Sequence, residues 1–155
     1  MSELEISLAR NTDCIELAEL SRVAIEYGLR WRWKPSKVLE LIKGPESCVI
    51  VARTPSGELM GFAAIKALSQ SEGEIKSVRT HPDHLRKGVS RRLMDHLETE
   101  ARKRGYNRLV LETHPSKQYE AARALYERRG YAYRGPFGDY APSPDSVFME
   151  LLLNP

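Results

Sequence analysis

Between Glu74 and Thr113 the hydrophobic period of the chain changes twice, and that change restricts the folds open to it. Glu74 to Thr80 reads as a strand ended by His81-Pro82. From about Gly88, the residues Val89, Leu93, Leu97 and Ala101 recur as the buried stripe of a helix. Arg102, Lys103 and Arg104 suit its last turn and Gly105 its C-terminal cap. Arg108 to Thr113 then reads as a strand again. Strand, helix and strand in that order predict an α/β fold.

Glu5 to Ala9 reads as a short strand. Asp13, with Glu16 three residues later, reads as an N-cap in a variant of the capping box. Leu17, Leu20, Ala24 and Tyr27 follow at helical spacing, with Gly28 as a stop. Pro35 to Ile42 predicts a second short helix with proline in its first turn. Cys48 to Arg53 and Leu59 to Leu68, joined by Thr54-Pro55-Ser56-Gly57-Glu58, predict a hairpin. Tyr119 to Arg129 predicts a later helix with Ala122, Leu125 and Tyr126 on one face and Gly130 as its cap. One or two strands follow, the last over Ser146 to Leu153. Strand–helix–strand units therefore alternate only in the second half.

A length of 155 residues, without repeats or a linker-like tract, predicts one domain over residues 1–155. Hydrophobic residues at 41% and charged residues at 29% give the balance of a soluble globular protein. The acidic start resembles no signal peptide, and no apolar run nears the roughly 18 residues of a membrane span, so a cytoplasmic location with no membrane partner is expected. The net charge of +3 is too small to argue for nucleic acid, and Asp95, Glu98 and Glu100 interleave the basic helix, so no nucleic-acid partner is expected. Cys14 and Cys48 form no disulfide framework and read as small hydrophobes. His81 and His84 have a short His-x-x-His spacing, but no third ligand converges on them and Pro82 breaks any helix between, so no metal is expected. His96 and His114 receive no role.

The charge distribution says more than its sum. Arg86, Lys87, Arg91 and Arg92 crowd the start of the helix with no acid among them. The helix dipole already places positive charge there, so added cations conflict with it unless an anion resolves the conflict. Free amides at a helix start, with Gly88 permitting close approach, form a phosphate cradle. A solvated basic helix start fits the charge equally well. Neither the nucleoside-triphosphatase loop nor the dinucleotide Gly-x-Gly-x-x-Gly motif is present.

Glu74-Ile75-Lys76-Ser77-Val78-Arg79-Thr80-His81-Pro82, followed by Arg86-Lys87-Gly88-Val89-Ser90-Arg91-Arg92-Leu93, resembles the central motif of the GNAT superfamily of acetyltransferases. There a strand enters a Gln/Arg-x-x-Gly-x-Gly/Ala loop that wraps the pyrophosphate of coenzyme A. Leu85 and Ser90 depart from that form. Ala122 to Tyr131 resembles the family's Asn-x-x-Ala-x-x-Leu-Tyr-x-x-x-Gly-Phe/Tyr motif, with Tyr119 at the asparagine position. Pro136-Phe137-Gly138-Asp139-Tyr140 and Ser146 to Glu150 are similar to the ending of a bacterial subgroup.

The resemblance implies an acyl-CoA N-acyltransferase fold, a mixed central sheet with helices on both faces. It implies transfer of the acetyl group of acetyl-CoA to a primary amine of a small molecule, or of a longer acyl group. The rival from another class is a non-catalytic acyl-CoA-binding module of the same fold, which Leu85 and Tyr119 favour. The implied cofactor contacts are Val78, Arg79, Thr80, Arg86, Lys87, Gly88, Val89, Ser90 and Arg91, with the Val78 amide facing the oxyanion. Glu74 is implied as the base, acting through a water, against the alternative of a strand carboxylate paired with Lys76 or an arginine. Tyr126 is implied as the general acid, against a place in the core. Tyr27, Trp31, Trp33, Phe137, Asp139 and Tyr140 are the implied acceptor residues, and a homodimer stays open.

Overall fold

A computed structural model describes residues 3–24 and 33–153 of the chain. Its seven strands and four helices are β1 (Glu5–Leu8), α1 (Cys14–Ala24), α2 (Pro35–Lys43), β2 (Ser47–Arg53), β3 (Leu59–Ala67), β4 (Glu72–Thr80), α3 (Val89–Lys103), β5 (Arg108–Thr113), α4 (Glu120–Arg128), β6 (Ala132–Arg134) and β7 (Val147–Leu152). The strands hydrogen-bond in the order β1-β2-β3-β4-β5-β7-β6. Contacts divide the chain into two compact units, residues 1–66 with 77–97 and residues 67–76 with 98–155, so that β4 and α3 each contribute to both.

In the first unit β1, β2 and β3 form an antiparallel meander with a bulge between Ala52 and Arg53. The hairpin turn closes through Thr54 N–H to Glu58 O at 2.9 Å, and Gly57 takes a positive φ of 97°. Pro35 opens α2, where its missing N–H costs no hydrogen bond. Val49, Val51, Phe62 and Ala64 meet Leu17, Ala18, Leu20, Val38 and Leu41 in one core. Asp13 does not cap α1 as its position predicts. It ends a 3-10 turn, accepts the Arg10 amide at 2.8 Å and pairs with Arg53 at 3.0 Å. With 6% of its surface exposed, this carboxylate needs a cation, and the end of β2 supplies one.

Neighbouring strand residues face opposite sides, so Gly61 looks away from the core that Phe62 joins. A Cβ at Gly61 would lie 2.5 Å from the Arg79 carbonyl oxygen, 3.0 Å from Val89 Cγ1 and 3.4 Å from Leu93 Cδ1. The first turn of α3 thus rests on this glycine, and helices cover both faces of β3. Gly61→Ala is expected to lower the melting temperature by roughly 5–10 °C, measured calorimetrically, because the obstacle is backbone and cannot swing aside.

In the second unit β4 runs parallel to β5, with Glu74 opposite Val110, while β5–β7 and β7–β6 are antiparallel. The sheet is therefore mixed. Val110, Phe137 and Phe148 form a core joined by Leu68 and Tyr140. A 3-10 turn over Lys117–Tyr119 precedes α4, one residue later than the sequence pattern suggests. Among the described residues no helix is long and apolar enough to cross a membrane.

Candidate functional site

The predicted anion loop lies in the first unit. His81, just past β4, donates its amide to the Met60 carbonyl at 2.7 Å, which fixes the loop's entry beside β3. Pro82–His84 form a 3-10 turn, and Leu85 is extended and 58% exposed. Arg86 then takes a positive φ of 62° and Gly88 one of 78°, while Lys87 between them does not. Such alternation of backbone handedness turns successive N–H groups toward one side, the concave arrangement that binds anions. A left-handed arginine costs about 1 kcal/mol, and strain of this kind collects at ligand clamps.

Gly88 leads directly into α3, where its carbonyl accepts the Arg92 amide at 3.1 Å. The amides of Val89, Ser90 and Arg91 fall in the first turn, where helices leave donors without helical partners. Val89 is 2% exposed and packs toward Gly61, so only its backbone can face a ligand. Ser90 Oγ lies 2.6 Å from Thr80 Oγ1 and ties the helix start to the end of β4. That bond gives a physical reason for a serine at this position. Arg91 lies over the loop, its Nη2 3.4 Å from where a Gly88 Cβ would stand.

Arg53, Arg104, Arg108, Arg129 and Arg134 each hold a carboxylate. Arg86, Lys87, Arg91 and Arg92 hold none among the described residues. Val78, Arg79 and Thr80 are half-buried at the end of β4. His84, which carries no functional signal in the sequence, is 6% exposed and binds Glu58 at 2.7 Å and Lys87 at 3.1 Å. Both its nitrogens are engaged, which leaves neither for a metal.

The second unit holds two buried acid clusters. Glu74 is 9% exposed, and its Oε2 accepts from the Tyr140 hydroxyl at 2.7 Å and from Lys76 Nζ at 3.3 Å. Its Oε1 has no partner among the described residues. The Tyr140 ring packs edge-on against Phe137 and Phe148, so an aromatic cluster buttresses the carboxylate. Phe137 is itself 6% exposed, and Asp139 stands in solvent.

In the other cluster Glu98 accepts from Arg129 at 2.7 and 3.0 Å and from the Tyr131 hydroxyl at 3.0 Å. Burial first, and the Glu98 charge second, push the Tyr131 phenol far upward, which keeps its proton on the bond to Glu98. Tyr126, on α4, is 8% exposed, with its ring 5.7 Å from that of Tyr131. Tyr119 lies against His114 with ring centroids 5.4 Å apart.

Of the remaining acceptor candidates, Tyr27 and Trp31 lie outside the described residues. Trp33 is 7% exposed and packs edge-on against Phe62, its ring committed to the core of the first unit. Gly61 and His84 went unassigned in the sequence. An isolated glycine inside an apolar strand is the signal that points to the first. For His84 the pattern holds no signal, because Glu58 is 26 residues away.

Residues 12–131 match the acetyltransferase (GNAT) family. The chain is 48% identical over 111 residues to the uncharacterized N-acetyltransferase YsnE of Bacillus subtilis, covering 72% of this chain and 73% of that protein. It is 40% identical over 114 residues to an IAA acetyltransferase of Azospirillum brasilense, covering 72% of each. Among solved structures it is similar to the ribosomal-protein-S18-alanine N-acetyltransferase of Escherichia coli, with a TM-score of 0.78, 25% identity, and coverage of 97% of this chain and 94% of that one.

Proposed function

The chain belongs to the acetyltransferase (GNAT) family and is an N-acetyltransferase; from that premise we propose that it moves the acetyl group of acetyl-CoA to a primary amine of a small molecule in the cytoplasm. The observation that carries this reading is the backbone of Arg86–Gly88, left-handed at both ends, at the start of α3 among four cations that hold no carboxylate among the described residues. This concave, cationic loop suits a pyrophosphate. Gly88 holds a φ of 78°, which a side chain would strain, and without a Cβ its backbone stays open to close approach.

Acetyl-CoA supplies the activated acyl thioester. The loop amides and Arg86, Lys87 and Arg91 bind its phosphates, and the backbone of Val78 and Thr80 pairs with its pantetheine amides as an added strand would. The Val78 amide donates to the oxygen on which negative charge develops. Glu74 takes the amine proton through a water at Oε1, since Tyr140 and Lys76 occupy Oε2. Tyr126 donates a proton to the departing sulfur. On the acceptor side, Tyr140 and Asp139 meet the amine, and the Tyr140–Glu74 bond supports this by joining the aromatic loop to the candidate base. Tyr27 and Trp31 stay acceptor candidates on sequence grounds.

The test is affinity for a truncated donor. Acetyl-pantetheine, which lacks the pyrophosphate, should bind at least about tenfold more weakly than acetyl-CoA by titration calorimetry, since charge-assisted hydrogen bonds are worth about 1.5–3 kcal/mol each. Equal affinities would refute the loop assignment.

Glu74→Gln should lower turnover most near neutral pH, where an alkylamine of pKa near 10 is almost wholly protonated, and recover part of it as pH rises. A pH–rate profile that matches the unmodified enzyme would assign proton removal to another group.

A further inference from the structure

We propose that His84 is a positioning residue for donor binding: it links Glu58 to Lys87 and holds the lysine ammonium in place on the anion loop. The inference rests on reading Leu85–Arg91 as the pyrophosphate site. Lys87 Nζ carries only donors, so His84 Nδ1, 3.1 Å away, must be an unprotonated acceptor. Nε2, 2.7 Å from Glu58 Oε1, must then carry the ring proton and donate it to the carboxylate. The neutral Nε2–H tautomer satisfies both contacts at once, and no other protonation state does.

The surroundings separate this arrangement from a simple surface bond. The imidazole side chain is 8% exposed, whereas the Glu58 side chain is 61% exposed. The ring is thus a buried strut, packed edge-on against His81 at 5.7 Å between centroids. Glu58 immediately precedes β3, its amide donating to Thr54 Oγ1 at 3.0 Å, so the strut is anchored in the β2–β3 turn. Lys87 sits between two left-handed residues, where a long side chain without an anchor would sample many rotamers.

The chemistry of the partner matters as much as its position. A carboxylate beside Lys87 would hold the lysine equally well but would neutralise it toward a phosphate. A neutral imidazole nitrogen fixes the ammonium and leaves its charge available. Binding an anion then immobilises fewer degrees of freedom of the lysine, which is how preorganisation raises affinity. The negative charge of the strut is kept at its far end, on Glu58.

The experiment compares coenzyme A affinity by titration calorimetry for His84→Phe, His84→Gln, Lys87→Met and the His84→Phe/Lys87→Met pair. Phenylalanine keeps the ring and removes both nitrogens, while glutamine restores an acceptor and a donor. His84→Phe and Lys87→Met are each expected to weaken coenzyme A about tenfold, and the pair no more than either alone. For His84→Phe the deficit should shrink as salt is raised, and the loss should fall in KM for acetyl-CoA rather than in kcat. His84→Gln should bind within about threefold of the unmodified protein, and it also covers the case in which His84→Phe fails to fold. Unchanged affinity in His84→Phe beside a weakened Lys87→Met, or losses that add in the pair, would overturn the strut and leave the loop assignment standing. Unchanged affinity in both Lys87→Met and Gly88→Glu would overturn the loop assignment and the strut with it.

Discussion

Gly88→Glu is expected to weaken acetyl-CoA binding by at least about 100-fold, because two charge-assisted hydrogen bonds of about 1.5 kcal/mol or more are lost together. Three effects act in the same direction. The backbone holds φ at 78°, a conformation that side chains strain. A carboxylate would stand in the concavity with the same charge as the ligand. It would also reach the Arg91 guanidinium, which lies 3.4 Å from the Cβ position, and so act as a tethered competitor for that arginine. Gly88→Ala separates these effects: it brings the strain without the charge and should bind acetyl-CoA better than the glutamate variant. Titration calorimetry reads both, and an unchanged dissociation constant for Gly88→Glu would remove this loop from the donor site.

Tyr126→Phe is expected to lower turnover by about 10²–10⁴-fold, the usual contribution of a positioned general acid, with little change in acetyl-CoA affinity. Phenylalanine preserves the ring that packs 5.7 Å from Tyr131, so the melting temperature should change little. A collapse in stability would point to the core reading of this tyrosine. Full turnover in a stable variant would do so as well. Steady-state kinetics with a saturating donor, beside a thermal melt, distinguish these outcomes.

The parts of the fold that follow from short-range pattern were legible in the sequence. The hairpin at Thr54–Glu58 carries its own turn chemistry, and the strand, helix and strand from Glu74 to Thr113 change period within a few residues. What the pattern could not reveal depends on distant partners. Asp13 has the spacing of an N-cap, but Arg53, 40 residues on, takes its carboxylate instead. Glu74 could be named from the family resemblance, yet its bond to Tyr140 spans 66 residues and has no local signature. Trp33 looked like an acceptor wall because aromatic residues line pockets and cores alike, and here it packs on Phe62.

The loop itself was legible through Gly88 and the surrounding cations. Its geometry was not, because Arg86 carries no mark of the left-handed conformation that a glycine would signal. The same limit applies to the backbone amide of Val78, since amides leave no trace in side-chain identity. Gly61 shows the opposite case: the residue is visible in the sequence, but its reason lies in the Arg79 carbonyl and in Val89 at the start of α3.

The most direct measurement is amine-dependent thiol release from acetyl-CoA, run over a panel of free amines, amino acids and folded proteins, with mass spectrometry of the products. Release should depend on a small primary amine, with an acetyl group added to that amine, and at limiting donor both should fall by at least about 100-fold in Gly88→Glu. Tight binding of acetyl-CoA with no release for any amine, or transfer only to folded proteins, would overturn the reading of a small-amine acetyltransferase.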